Sequence, residues 1–154
     1  MEEFPVVTIK RGKIKRENKI WRKKERIDLI DGLIEKHGMV YIIDMDGKEK
    51  GSPNLKLYKS IGKNIWADTF PRSIDDVIDL FVCGVERITV RSIREEFFEE
   101  IKSISENEIF VFENIEKAEK YKLAGVVTEK ELNFDSRFQI WKIDKENEVI
   151  RRLK

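Results

Sequence analysis

The stretch Tyr41 to Ser92, YIIDMDGKEKGSPNLKLYKSIGKNIWADTFPRSIDDVIDLFVCGVERITVRS, decides the fold. Residues 39 to 46 form an apolar, β-branched run without polar alternation, as expected for a strand with helices on one side and a barrel interior on the other. Ser52 and Pro53 form a cap and first-turn pair, Leu55, Tyr58 and Ile61 form a stripe, and Gly62 closes a helix. Residues 64 to 69, NIWADT, are the next strand. Ser73 with Asp76 resembles a capping box, Ile74, Val77, Ile78 and Phe81 fall at helical spacing, and Gly84 ends that helix before a strand at 85 to 92. Alternation of this kind implies parallel strands, because each helix is the right-handed crossover between two of them.

The alternation extends in both directions. Residues 4 to 10, FPVVTIK, suit a strand, and Ile27, Ile30 and Ile34 with Leu33 mark a helix over 27 to 37 that Gly38 can end. Beyond the opening stretch, Ser92 with Glu95 suggests another capping box ahead of Phe97, Phe98, Ile101 and Ile104. A strand EIFVFEN, a helix over 115 to 123 and a strand over 125 to 129 complete a sixth βα unit. Then the rhythm changes: FQIWKI at 138 to 143 and EVIRRL at 148 to 153 flank the polar DKEN and read as an antiparallel hairpin. The expectation is one α/β domain over 1 to 154, a TIM-barrel-like but shortened or incomplete barrel with a C-terminal β-hairpin. Unpaired strand edges invite another chain, so the gap is expected to be closed by a homo-oligomer or by that hairpin.

A chain of 154 residues can bury a core without disulfides, and the single Cys83 cannot pair within it. No zinc or redox CxxC pair exists, which fits a reducing compartment, and cytoplasm is the expected location. The N-terminus lacks the pattern of a signal peptide, and no run of eighteen apolar residues suggests a membrane span. Charged residues make up 40% of the chain, led by Lys and Glu with one Gln, a bias associated with hot environments. P-loop, Rossmann and zincin motifs are missing, and the only histidine, His37, sits at a helix end, where it suits the helix terminus. No cofactor or metal is expected from these patterns.

The opening stretch resembles the histidine-biosynthesis barrel family, which includes the phosphoribosylformimino isomerase and the imidazole glycerol phosphate synthase cyclase, and it is most similar to archaeal relatives of unassigned role. Asp44, Gly47, Asn54, Leu55, Arg72, Ser73, Asp75 and Asp76 occupy the places that carry the resemblance. It implies an eight-stranded (βα)₈ barrel. It also implies two carboxylates, ending the first and fifth strands, that work as general acid and base across the barrel mouth. By register those places hold Thr8 and Glu113, and the fourth-strand phosphate segment appears as Val90, Arg91 and Ser92. Thr8 cannot exchange a proton near neutral pH, so the family isomerase or cyclase reaction is not expected here.

Two functional readings follow. In the first, the strand C-terminal ends keep a pocket for a small phosphorylated ligand, with Glu113 and Asp44 as candidate catalytic acids and Asp46, Asp68, Arg72, Arg91 and Ser92 as ligand-binding candidates. The acids could equally bind Mg²⁺, or cap loop amides and pair with arginines. In the second, the chain is a noncatalytic module. Lys10 to Arg26 holds ten basic residues against Glu17 and Glu25, and Lys19, Trp21, Arg22, Lys23, Lys24 and Arg26 could contact nucleic acid or an acidic protein. A solvated loop and helix start accounts for the same residues.

Overall fold

The structure, a computed structural model, describes residues 2–92, 94–132 and 137–154. Those residues form ten strands and six helices. The strands are β1 (Glu3–Lys10), β2 (Lys13–Arg16), β3 (Lys19–Trp21), β4 (Val40–Asp44), β5 (Ile65–Asp68), β6 (Arg87–Val90), β7 (Ile109–Phe112), β8 (Gly125–Thr128), β9 (Gln139–Asp144) and β10 (Val149–Arg152). The helices are α1 (Lys24–His37), α2 (Met45–Lys50), α3 (Leu55–Ile61), α4 (Ile74–Val82), α5 (Glu95–Ile101) and α6 (Ile115–Lys120).

Strands β1, β4, β5, β6, β7, β8 and β9 run parallel in that order. β10 turns back antiparallel to β9 and pairs antiparallel with β1, matching Glu3 with Arg151, Phe4 with Ile150 and Pro5 with Val149. The barrel is therefore closed with eight strands, not incomplete, and it is mixed rather than all-parallel. The terminal hairpin supplies both missing strands, so of the two closures expected, by a second copy or by the hairpin, the hairpin seals the gap. Among the described residues no helix is long and apolar enough to cross a membrane.

Strand periodicity divides the core into two layers. Val6, Tyr41, Ile43, Trp66, Phe110, Val127, Trp141, Ile143 and Ile150 pack together inside the barrel. Their neighbours, among them Val7, Ile42, Ala67, Ile88, Val111 and Val126, face outward under Ile30, Tyr58, Leu80 and Phe98 of the helices. Burial on both faces is why the strands lack polar alternation.

The hairpin β2–β3 is an addition to this plan. The basic segment, expected as a loop, pairs Lys13–Arg16 with Lys19–Trp21 and pairs β2 with the C-terminal half of β1. Arg11 (φ 52°) and Gly12 (φ 73°) make the two-residue turn with positive φ at both positions, the form whose twist suits a hairpin. Local punctuation differs in places. α3 begins after Asn54 rather than at Ser52, α2 takes up Met45 and Asp46, which were expected in the preceding strand, and Ser92 accepts from Arg94 N at 3.2 Å instead of capping Glu95. Ser73 does cap α4, accepting from Asp76 N at 3.3 Å.

Gly125 lies so close to β9 that an added Cβ would sit 2.2 Å from the Gln139 carbonyl oxygen, whereas Gly32, exposed within α1, has nothing within 4 Å. Gly125→Ala should destabilise the barrel by about 1–3 kcal/mol. Gly32→Ala should stabilise it by about 0.5–1 kcal/mol, both read by urea unfolding.

Candidate functional site

Residues two apart on a strand share a face, so Trp66 and Asp68 of β5 both enter the lumen, as do Tyr41 of β4 and Thr89 of β6. Parallel pairing of β4, β5 and β6 brings them together. The Tyr41 hydroxyl donates to Asp68 Oδ2 at 2.7 Å and lies 3.0 Å from Thr89 Oγ1, which accepts from Trp66 Nε1 at 3.0 Å. Arg91, just past β6, closes the network from above, with Nε 2.9 Å from Asp68 Oδ1 and Nη2 2.6 Å from Oδ2. Its guanidinium lies against the rings of Phe70, 4.4 Å from the centroid, and Phe112, at 3.7 Å. The Asp68 carboxylate is fully buried, so it needs this paired donor. Burial would lower the Arg91 pKa, but the bonds to Asp68 outweigh it and raise it, keeping the cation charged.

Above the pair lies a pocket of about 340 Å³, lined by Phe70, Pro71, Arg72, Arg91, Ser92 and Arg94. Among the described residues its lining has three guanidinium groups and no carboxylate. Arg72 is fixed by its Nη2 bond to the Lys48 carbonyl at 2.9 Å and by the bond from its backbone N to Asp76 Oδ2 at 2.9 Å. Arg94 touches Glu96 at 3.9 Å, both side chains being exposed. Glu129 acts electrostatically on Arg91 from outside this lining. The arrangement suits an anion with several acceptor oxygens.

The structure brings together Asp68, Arg72, Arg91 and Ser92 of the expected ligand-binding set. It does not bring Asp44, Asp46 and Glu113 to the same pocket. Asp44 alternates with Ile42 on the outer face of β4, fully buried, and accepts from Asp46 N, Gly47 N, Asn54 N, Asn54 Nδ2 and the Tyr58 hydroxyl. Asp46, expected beside it on the strand, lies in the first turn of α2 and accepts from Arg11 N at 2.7 Å, Gly12 N at 2.8 Å and Asn54 Nδ2 at 3.0 Å. Burial would raise the Asp46 pKa, but the bonds from Asn54, Gly12 and Arg11 prevail and lower it. Together the two aspartates fasten α2, α3 and the β1–β2 turn. Glu113 accepts from Glu129 N at 3.0 Å and Thr128 Oγ1 at 3.3 Å and pairs with Lys130 at 3.7 Å. Asp44 and Glu113 share no partner among the described residues, and there no group of three or more His, Cys, Asp or Glu could hold a metal ion.

In the basic segment, Lys19 lies 4.2 Å above the Trp21 ring, and that ring packs half-buried against the outer core with Nε1 buried and unbonded. Trp21 is thus no free stacking platform. Arg26 donates to the carbonyls of Gly12 at 2.7 Å and Lys23 at 3.0 Å, while Arg22, Lys23 and Lys24 lie exposed where β3 passes into α1. Tyr41, Trp66, Thr89, Phe70, Phe112 and Arg94 are site residues that the sequence reading misses. The available signal was alternation: once Asp68 points inward, Trp66 must, and Tyr41 and Thr89 follow on the neighbouring strands.

Fold and site together define a closed mixed α/β barrel with a buried acid–arginine network under a cationic mouth. No protein-family model matches the chain, and no curated protein matches it.

All three tyrosines are perturbed upward. Burial first, then Asp68, raises Tyr41 well above its ordinary value, burial and Asp44 do the same for Tyr58, and the Glu95 hydrogen bond first raises Tyr121 to about 12. Spectrophotometric titration of the native protein should therefore show almost no tyrosinate up to about pH 11, a point by which free tyrosines are mostly ionised. In urea unfolding, Arg91→Met should cost about 3–5 kcal/mol by leaving Asp68 buried and unpaired, and Asp68→Leu in the same chain should recover most of it.

Proposed function

We propose that the chain binds a small phosphorylated metabolite at the strand C-terminal mouth, as a relative of the histidine-biosynthesis barrels that does not run their isomerase or cyclase reaction. The observation that carries this reading is the pocket over Asp68 and Arg91, where Arg72, Arg91 and Arg94 line one cavity with no carboxylate among the described residues. Asp68 contributes by holding Arg91 in a fixed orientation, so little ordering remains when an anion arrives. The aromatic faces of Phe70 and Phe112 keep the same guanidinium flat against the mouth.

The position of Thr8 supports the absence of the family reaction. It shares the lumen side of β1 with Val6, half-buried, at the place where the resemblance requires a proton-exchanging carboxylate. Asp44 cannot substitute while its carboxylate faces the helices and is engaged by Asn54 and Tyr58. Ligand capture, rather than acid–base turnover, is the chemistry these side chains favour.

Thermal unfolding with ribose 5-phosphate and with inorganic phosphate tests the proposal. Binding at about one hundred times Kd adds about 2.7 kcal/mol, enough to raise Tm by roughly 5–10 °C in a domain of this size. Arg72→Ala with Arg94→Ala should abolish the rise while leaving the Asp68–Arg91 network and the unliganded Tm near their original state. A flat response to phosphorylated compounds at about 10 mM, or a rise that survives the double substitution, would sink the reading.

A further inference from the structure

The cations of the chain are unevenly partnered. Lys117, Lys120, Lys130, Lys142, Lys145, Arg151 and Arg152 all sit in ion pairs in the C-terminal part. Of the ten basic residues between Lys10 and Arg26, by contrast, only Lys10, with Glu49 at 3.6 Å, and Arg16, with Glu17 and Glu148, are matched to acids among the described residues. The unmatched charge is concentrated on the β2–β3 hairpin and the helix start that follows it.

Register places much of that charge on one side. Directly opposed residues on paired strands share a face, so Thr8, Lys15 and Ile20 form one row, and Lys10 with Lys13 forms the next. Thr8 lies on the lumen side of β1, and the row therefore continues the lumen side of the barrel onto the projecting hairpin. Ile14 and Trp21 take the other side and pack against the outer core. A groove of about 360 Å³ runs along the hairpin among Lys10, Arg11, Lys13, Ile14, Lys15 and Ile20.

A guard against edge-to-edge pairing does not explain this pattern. Lysines serve that purpose on an edge strand. Lys13 and Lys15, however, lie on β2, flanked by β1 and β3. Lys10 also stands directly opposite Lys13, a like-charge juxtaposition that Glu49, 3.6 Å from Lys10, relieves only in part. Ile20, 45% exposed in the middle of the cations, adds an apolar surface on which a base can rest.

We propose that this lumen-side face of the β2–β3 hairpin binds single-stranded nucleic acid, its phosphates meeting Lys10, Arg11, Lys13 and Lys15 and its bases resting against Ile20. An open row of cations around one apolar side chain suits a flexible polyanion and gives little means of reading sequence. The proposal is independent of the arginine pocket, whose residues belong to other loops.

The test is fluorescence anisotropy with a labelled oligouridylate of roughly 20 nucleotides. Four phosphate contacts predict a slope of log K against log salt near about −3, hence a loss of roughly 50-fold between about 50 and 200 mM salt. Lys13→Ser with Lys15→Ser should roughly halve the slope, weaken binding at low salt and leave Tm unchanged or higher. Lys59→Ser with Lys63→Ser, removing the same charge from the outer α3 side, should change neither. Four results would overturn the proposal: no binding at low salt, a slope indifferent to the hairpin pair, an equal loss in the control pair, or displacement by polyglutamate as effective as by unlabelled RNA. The last would assign the face to acidic protein.

Discussion

The second edge of β1 is shared between two partners, and the rest of the molecule depends on that division. Glu3 to Pro5 pair with β10, while Thr8 to Lys10 pair with β2. The lower half of the edge closes the barrel and the upper half carries the hairpin away from it. At the fork, Arg16 Nη1 donates to the carbonyls of Val6 at 2.8 Å and Glu148 at 3.1 Å, and Val6 N donates to Glu148 O at 2.8 Å. One guanidinium thus satisfies backbone groups that neither strand pairing reaches. Without that junction the lumen would be open along one wall, and Trp141 and Trp66, which meet edge-to-face with centroids 5.1 Å apart, would lose the enclosure that makes them core.

Closure joins the first strand to the last, the longest sequence separation available to the chain. Contacts of this kind are assembled only after a large loss of chain entropy. The seam adds ion pairs, Arg151 with Glu3 and Arg152 with Glu2, each at 2.8 Å. Exposed pairs contribute little individually. Burial of Phe4, Ile143, Ile150 and Trp141 inside the barrel stabilises the seam more, with Phe4 and Trp141 stacked at 5.4 Å. An inward guanidinium, Arg87, lies 5.3–5.9 Å from four of the interior rings, so the lumen combines aromatic packing with charge at both depths.

What was legible in the sequence is what local chemistry controls. The Ser73 cap, the glycines after α1 and α3, and the turn from FQIWKI into EVIRRL each act within a few residues, and each appears where the pattern placed it. Closure by the terminal hairpin was one of two expectations, but its register was not legible, because nothing near Phe4 indicates that its partner is Ile150. The β2–β3 hairpin was hidden by its own lysines. Only Ile14 and Trp21 mark its packed side, too few apolar residues to stand out from charges that suggest a loop. Likewise α2 is six residues long and depends on the Asp44 carboxylate accepting from its first amides, a tertiary support that composition does not display.

The site shows why residue type at a strand end is insufficient and facing decides. Asp44 and Asp68 both end parallel strands, and both are fully buried carboxylates. Ile43, not Asp44, pairs with Asp68 across β4 and β5, a one-residue offset that sends the two carboxylates to opposite sides of the sheet. Asp44 therefore meets amides and Tyr58 and becomes a fastener for two helices. Asp68 meets Tyr41 and Arg91 and sets the charge at the mouth. The carboxylates that the sequence offers as equivalents are thus separated by register alone, and the barrel mouth presents one arginine held by a buried acid rather than two acids facing each other.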